Sequence, residues 1–172
     1  MRYTNYKYNQ RATKILQIVT EFPGLTFTEI MNCSGLANGV LSHYLVNMEK
    51  HAMLRSVRSK KNARYFLLDQ PTSDDSLIIN LRKETCRNVL VFLLTKKQAS
   101  FGDIVLEVKR SPPTVSITLS HLVGLGLIKA SIGFGKKFEI VNRQHVMEVL
   151  QKIEPTTFDK IKENFADTFS YF

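Results

Sequence analysis

Cysteine is scarce in this 172-residue chain, and the two that occur, Cys33 and Cys86, stand far apart with no Cys-x-x-Cys spacing. That excludes a disulfide framework and a thiolate metal site, and it suits a reducing cytoplasm. Both cysteines read as small apolar packing groups. No apolar run reaches the roughly 18 to 20 residues that a membrane helix needs. The stretch 1–10 is polar and tyrosine-rich rather than signal-like. The four histidines, His43, His51, His121 and His145, are scattered, and no Ser/His/Asp, Cys/His or paired-carboxylate set stands at a recognisable catalytic spacing. The sequence therefore points away from an enzyme, and it offers no cofactor, no metal site and no identifiable small-molecule effector.

Acidic residues are also in short supply: 15 Asp+Glu stand against 24 Lys+Arg, a formal charge of +9 and a pI near 9.6. Such an excess attracts polyanions, nucleic acid first among them. The excess is uneven. Residues 1–70 hold ten bases and four acids, 71–142 ten and six, and 143–172 four and five. The positive field belongs to the first two segments. With 44% hydrophobic residues, there is enough apolar material for a globular core.

An internal repeat organises the chain. Phe27, Ile30, Ser42 and Leu45 recur as Phe101, Ile104, Ser116 and Leu119, at a spacing of 74 (101 minus 27). Under the same shift Ile15, Leu16, Ile18 and Val19 fall on Val89, Leu90, Phe92 and Leu93, and Met53-Leu54 falls on Leu127-Ile128. Two copies of one small unit are the simplest account.

Each copy reads as three helices and a hairpin. In the first, 11–21 is an amphipathic helix ended by Pro23-Gly24, since proline cannot continue a helix and glycine tolerates a left-handed cap. Thr26 with Glu29 is a capping box that opens a second helix over 27–33. A turn at 34–36 leads to a third helix over 37–50, with Leu41, Leu45 and Met48 on one face. Strands over 53–57 and 63–68 flank the polar turn 59–62.

The second copy opens with one longer helix over 75–95. Ser100 with Asp103 repeats the capping box before a helix over 101–109. Ser111, a preferred cap, and two prolines in the first turn open a third helix. Strands over 127–131 and 136–141 close around Gly133-Phe134-Gly135.

The run from Gly35 through Asn38 and Ser42-His43 to Leu45, then Met53-Leu54 and a basic hairpin, resembles the winged-helix repressors of the ArsR and MarR type. Ser111-Pro112-Pro113-Thr114-Val115-Ser116, followed by Leu119, Leu122 and Gly126-Leu127-Ile128, resembles them more closely still. Two such copies in one short chain are similar to tandem winged-helix regulators common in archaea. The resemblance covers about residues 10–142. It implies a mainly α fold with small β-hairpin wings: a first winged helix-turn-helix domain with an N-terminal arm over 1–70, a second over 71–142, and a C-terminal helical segment over 143–172. The cysteine pair or carboxylate and histidine cluster of the metal-sensing ArsR pattern is missing.

In that architecture the third helix of each copy enters the major groove. The expected contacts are Asn38, Gly39, Ser42, His43 and Val46 in the first copy, and Pro113, Thr114, Ser116, Ile117 and Ser120 in the second. Asparagine can bond an adenine edge, serine and threonine serve either base, and isoleucine can touch a thymine methyl. The first wing carries Arg55, Arg58, Lys60, Lys61 and Arg64 within ten residues, with no acid between them, a density that favours phosphate contact. Lys129, Lys136 and Lys137 make the second wing basic as well, with Phe134 at its tip. The arm formed by Arg2, Tyr3, Tyr6, Lys7, Tyr8 and Arg11 could follow a groove or cover the first core.

The last thirty residues carry two apolar stripes, Val146, Val149, Leu150 and Ile153, then Phe158, Ile161, Phe165 and Phe169. Spacings of three and four mark helices, and the phenylalanine-rich stripe needs a partner surface, either the chain's own domains or a second copy, with a homodimer the expectation. The function these features imply is a cytoplasmic regulator that occupies promoter double-stranded DNA, most simply as a repressor. Two alternatives stay open: a nucleoid-type architectural DNA-binding protein, and a winged-helix protein-interaction module of the transcription machinery.

Overall fold

The computed structural model of the protein describes residues 10–131 and 135–154. The chain divides into two compact units, Met1–Asp75 and Ser76–Phe172. It is mainly helical, with two small three-stranded antiparallel sheets.

In the first unit, α1 (Gln10–Glu21) is followed by β1 (Leu25–Thr26), α2 (Phe27–Ser34), α3 (Asn38–Lys50), β2 (Leu54–Arg58) and β3 (Ala63–Leu67). Helix α1 stops where Pro23 and the left-handed Gly24 (φ 77°) redirect the chain. The capping box forms as expected: the Thr26 backbone N–H donates to Glu29 Oε2 at 2.7 Å, and the Glu29 N–H donates to Thr26 Oγ1 at 3.4 Å. Gly35 (φ 68°) closes α2, its N–H reaching the Met31 carbonyl. Ala12, Ile15, Val19, Ile30, Leu41, Leu45, Met48 and Leu54 join one buried cluster, so the helices and the sheet share a single core. The sheet order is β1-β3-β2. Strand β1 has no counterpart in the sequence-based expectation, because two residues are too few for a period-two pattern to show.

The second unit repeats this plan. Helix α4 (Asp75–Leu81) starts at its boundary. Then come α5 (Glu84–Thr95), β4 (Ala99–Ser100), α6 (Phe101–Val108), α7 (Pro112–Gly124), β5 (Ile128–Ala130), β6 (Lys137–Ile140) and α8 (Arg143–Ile153). From α1 to β2, every element of the first unit has a partner beginning 74 positions later (84 minus 10, 112 minus 38). Backbone detail follows the same shift. The left-handed residues Gly35 and Ala52 recur as Lys109 and Gly126, and Met53 N–H to Met48 O recurs as Leu127 N–H to Leu122 O. On the return strand the shift falls to 73, since Leu25 faces Tyr65 but Ala99 faces Phe138. The second hairpin is one residue shorter.

Two expectations need correction. The helix expected over 75–95 is broken between Leu81 and Glu84. No proline or glycine marks the break; the buried Asn80 lies beside it. Its amide donates to the Ser76 carbonyl at 2.7 Å and its oxygen accepts from Lys83 Nζ at 3.2 Å, while Lys83 itself turns extended. Ser111 does occupy the N-cap of α7, yet its hydroxyl makes no capping bond and pairs instead with Thr114 Oγ1 at 2.8 Å. Pro112 and Pro113 have no N–H to satisfy, which leaves the cap hydroxyl little to do there.

Helix α8 belongs to the second unit's core through Val146, Val149, Leu150 and Ile153. Arg143 at its start donates to the carbonyls of Leu93, Leu94 and Lys96, satisfying the C-terminal end of α5. Near its other end Arg87 Nη1 meets Glu154 Oε1 at 2.7 Å.

Candidate nucleic-acid interface

Helix α3 buries Leu41, Leu45 and Met48, and its opposite side carries Asn38, Gly39, Ser42, His43 and Val46, all exposed. His43 Nε2 pairs with Asn47 Nδ2 one turn on, at 2.9 Å. Asn38 and Ser42 carry no such contact among the hydrogen bonds of the described residues, so their polar atoms are available to an outside partner.

The hairpin β2–β3 runs back beside α3. Its turn is closed by the Ser59 N–H donating to the Asn62 carbonyl at 2.8 Å, which leaves Lys60 and Lys61 exposed at the tip. The Arg58 side chain is 70% exposed, and its Nη2 lies 3.6 Å from Glu49 Oε2 on α3, tying the hairpin to the helix.

The other two arginines of the cluster are used internally. Arg55 is 17% exposed and bound by Asp75, with Nη2 to Oδ1 at 2.8 Å, and its guanidinium lies 4.8 Å from the Phe66 ring centroid. Arg64 is 13% exposed, donates to the Gly24 carbonyl at 2.6 Å and lies 3.7 Å from Glu29. Strand alternation explains the division: it turns these two side chains toward the unit's own carboxylates and carbonyls. The five-cation wing of the sequence narrows to Arg58, Lys60 and Lys61.

In the second unit Pro113, Thr114, Ser116, Ile117 and Ser120 are likewise exposed, Ile117 to 72%. The hairpin cations are less free. Lys129 Nζ lies 3.0 Å from Glu139 Oε1, and this contact, with one from Gln98, holds the Glu139 carboxyl below its ordinary range. Lys136 sits 5.6 Å from the Phe138 ring centroid, and Lys137 is exposed on β6. Beside α7 the hairpin leaves an open cavity of about 400 Å³, lined by Phe101, Ser116, Leu119, Ser120, Val123, Lys136 and Phe138 among others. Sequence reading missed this cavity. The one signal for it is the run of small residues, Ser116, Ser120 and Gly124, at spacings of four.

Phe134, the arm residues Arg2 to Tyr8 and the stripe Phe158, Ile161, Phe165 and Phe169 lie outside the described residues. Among the described residues, no group of three or more His, Cys, Asp or Glu is placed to hold a metal ion, and no helix is long and apolar enough to cross a membrane.

No family model matches the chain, and no curated protein matches it. Among solved structures it is similar to the DIP2311 protein from Corynebacterium diphtheriae, at 11% identity and a TM-score of 0.31; the likeness covers 76% of this chain and 26% of that one. The chain thus spans about a quarter of the length of that relative.

Proposed function

We propose that the protein is a DNA-binding transcriptional regulator whose first unit carries most of the DNA contact. The observation behind this is local: three exposed cations, Arg58, Lys60 and Lys61, project from a hairpin that an ion pair links to α3. The neighbouring helix presents Asn38 and Ser42 outward. Phosphate contacts would come from the hairpin, and base-edge contacts from the helix N-terminal half.

Reading each unit as a winged helix-turn-helix is supported by the order the two share, three helices with a short strand after the first and then a hairpin that completes a three-stranded sheet; in the second unit α4 precedes this set and α8 follows it. The second unit offers fewer free cations and contributes less. Occupation of promoter DNA in the cytoplasm as a repressor is the simplest mode, with a homodimer made through the stripe from Phe158 to Phe169. Titration of the full chain against operator-length and random duplexes over a range of salt tests the proposal. Affinity that falls steeply with salt supports DNA binding, and a preference for particular sequences separates a regulator from an architectural protein. Negligible affinity near physiological salt would favour a protein-interaction module.

A further inference from the structure

Because the plan of the first unit returns at a shift of 74, the cavity beside α7 can be set against the same place in the first unit. Phe101, Ser116 and Leu119 of its lining correspond to Phe27, Ser42 and Leu45, so one wall is shared. The rest has changed. Val123 and Gly124 stand where the first unit has Glu49 and Lys50, and Glu49 there is tied to Arg58 of the hairpin at 3.6 Å. On the return strand, where the shift is 73, Lys136 replaces Ala63 and Phe138 replaces Tyr65. The second unit thus loses an acid and two long side chains at the end of the helix, and gains a cation on the hairpin.

What results is an open cavity of about 400 Å³, within the size range of small-ligand sites. Two phenylalanine rings, Leu119 and Val123 make its walls apolar, and Ser116 and Ser120 add hydroxyls. Among the described residues, Lys136 is the one charge in the lining, and no carboxylate pairs with it; its ammonium lies 5.6 Å from the Phe138 ring centroid. The nearby Glu139 is held by Lys129.

We infer that this cavity is a binding site for a small amphipathic anion, a monocarboxylate whose apolar body lies against Phe101 and Phe138 and whose head group is met by Lys136. Charge decides the class. The +9 field of the chain draws anions, and an ammonium beside apolar walls makes a strong charge-assisted bond to a carboxylate. A single cation suits a single negative charge, whereas a doubly charged phosphate ester would leave one charge poorly met. The apolar walls supply the remaining affinity. Ser116, Ser120 and Lys136 also stand among the expected DNA contacts, so the inference is tested on the chain without DNA, and the cavity is filled from positions outside that set.

The test is titration of the isotope-labelled full-length chain with octanoate and with phenylacetate, a chain and a ring carrying the same head group, followed by nuclear magnetic resonance. The matching alcohols and amines are the charge controls. Ala130→Leu and Gly124→Leu fill the cavity. Ala130 lies opposite Phe138 in the β5–β6 register, so the two side chains share a face, and a Cβ placed on Gly124 meets no heavy atom within 4 Å. Lys136→Gln removes the charge and keeps most of the side-chain length. The expected result is saturable binding of at least one acid with a Kd of about 1 mM or tighter, with shifts centred on α7 and the β5–β6 hairpin. Lys136→Gln, each filled variant and each charge control should bind at least about fivefold more weakly. The tighter of the two acids tells whether the apolar body is a chain or a ring, and either supports the inference. No saturable binding of either acid below about 10 mM overturns it. So does binding that the matching alcohol equals, that maps elsewhere on the chain, or that survives Lys136→Gln or both filled variants. A well-dispersed spectrum shows that each variant keeps its fold; should a filled variant lose it, Lys136→Gln and the alcohol comparison decide.

Discussion

Arg55 and Asp75 form a two-pronged ion pair, with both side chains largely shielded at 17% and 13% exposure. The pair takes a cation that the sequence places in the basic wing and fixes it inside the unit. Removing one partner strands the other charge where water reaches it poorly. Arg55→Ala should therefore lower the stability of the first unit by about 2 kcal/mol. It should leave the salt dependence of DNA binding unchanged. Chemical denaturation and a salt titration on the same variant check both halves; a flattened salt slope would show that Arg55 reaches phosphate.

The exposed cations should behave in the opposite way. The triple variant Arg58→Ala, Lys60→Ala, Lys61→Ala touches no core residue, and stability should change by no more than about 0.5 kcal/mol for each exposed site. Each phosphate contact contributes about 0.9 to the slope of log K against log salt. The slope should consequently fall by about 2 to 3, with affinity lost across all sequences. Adding Arg64→Ala should reduce stability further while moving the slope little, because Arg64 is spent on Gly24 and Glu29.

The contrast between these arginines shows where sequence reading runs out. Periodicity, the two capping boxes and the 74-residue repeat place α1 to α3, α6, the start of α7 and both hairpins to within a residue or two, while α5 is legible only as the end of a longer helix. Which wing cations face water depends on partners distant in sequence: Asp75 lies twenty residues from Arg55, and Gly24 forty from Arg64. The break after Leu81 was hidden for a similar reason. Beside it lies Asn80, bonded to Ser76, Lys83 and His121, and asparagine alone does not announce a helix end. The cavity beside α7 escaped because a row of serines and a glycine reads as an ordinary polar face until the hairpin is seen next to it.

His121 supplies a pH signature of the second unit. Its Nε2 donates to Asn80 Oδ1 at 2.9 Å, and burial of the ring, with the Lys83 ammonium adding to it, holds its pKa below the ordinary histidine value. The unfolded chain takes up the proton first as pH falls, so the stabilisation is fully present above about pH 6.5. It is lost as pH drops from there through the lower folded value. His121→Gln keeps a donor for Asn80 and cannot titrate, so its denaturation midpoint should fall less between neutral pH and pH 5 than that of the wild type. Identical acid slopes in the two proteins would show that His121 titrates alike folded and unfolded.

The remaining prediction concerns how sequence is read. Asn38 opens α3 and Ser42 follows one turn later on the same exposed face, which under the proposed function is the part that meets base edges. A side-chain amide can bond an adenine in bidentate fashion and a serine hydroxyl can serve either base, each worth about 1 to 3 kcal/mol of discrimination. Asn38→Ala with Ser42→Ala should therefore shrink the ratio of specific to nonspecific affinity by at least about tenfold. Nonspecific affinity and its salt slope should stay near wild type, since no cation has been removed. Selection of bound duplexes from a random pool, followed by titration of the preferred and a scrambled sequence, measures both quantities. A uniform loss on both duplexes would mean that the two side chains only position the backbone. An unchanged ratio would move base reading off α3 altogether.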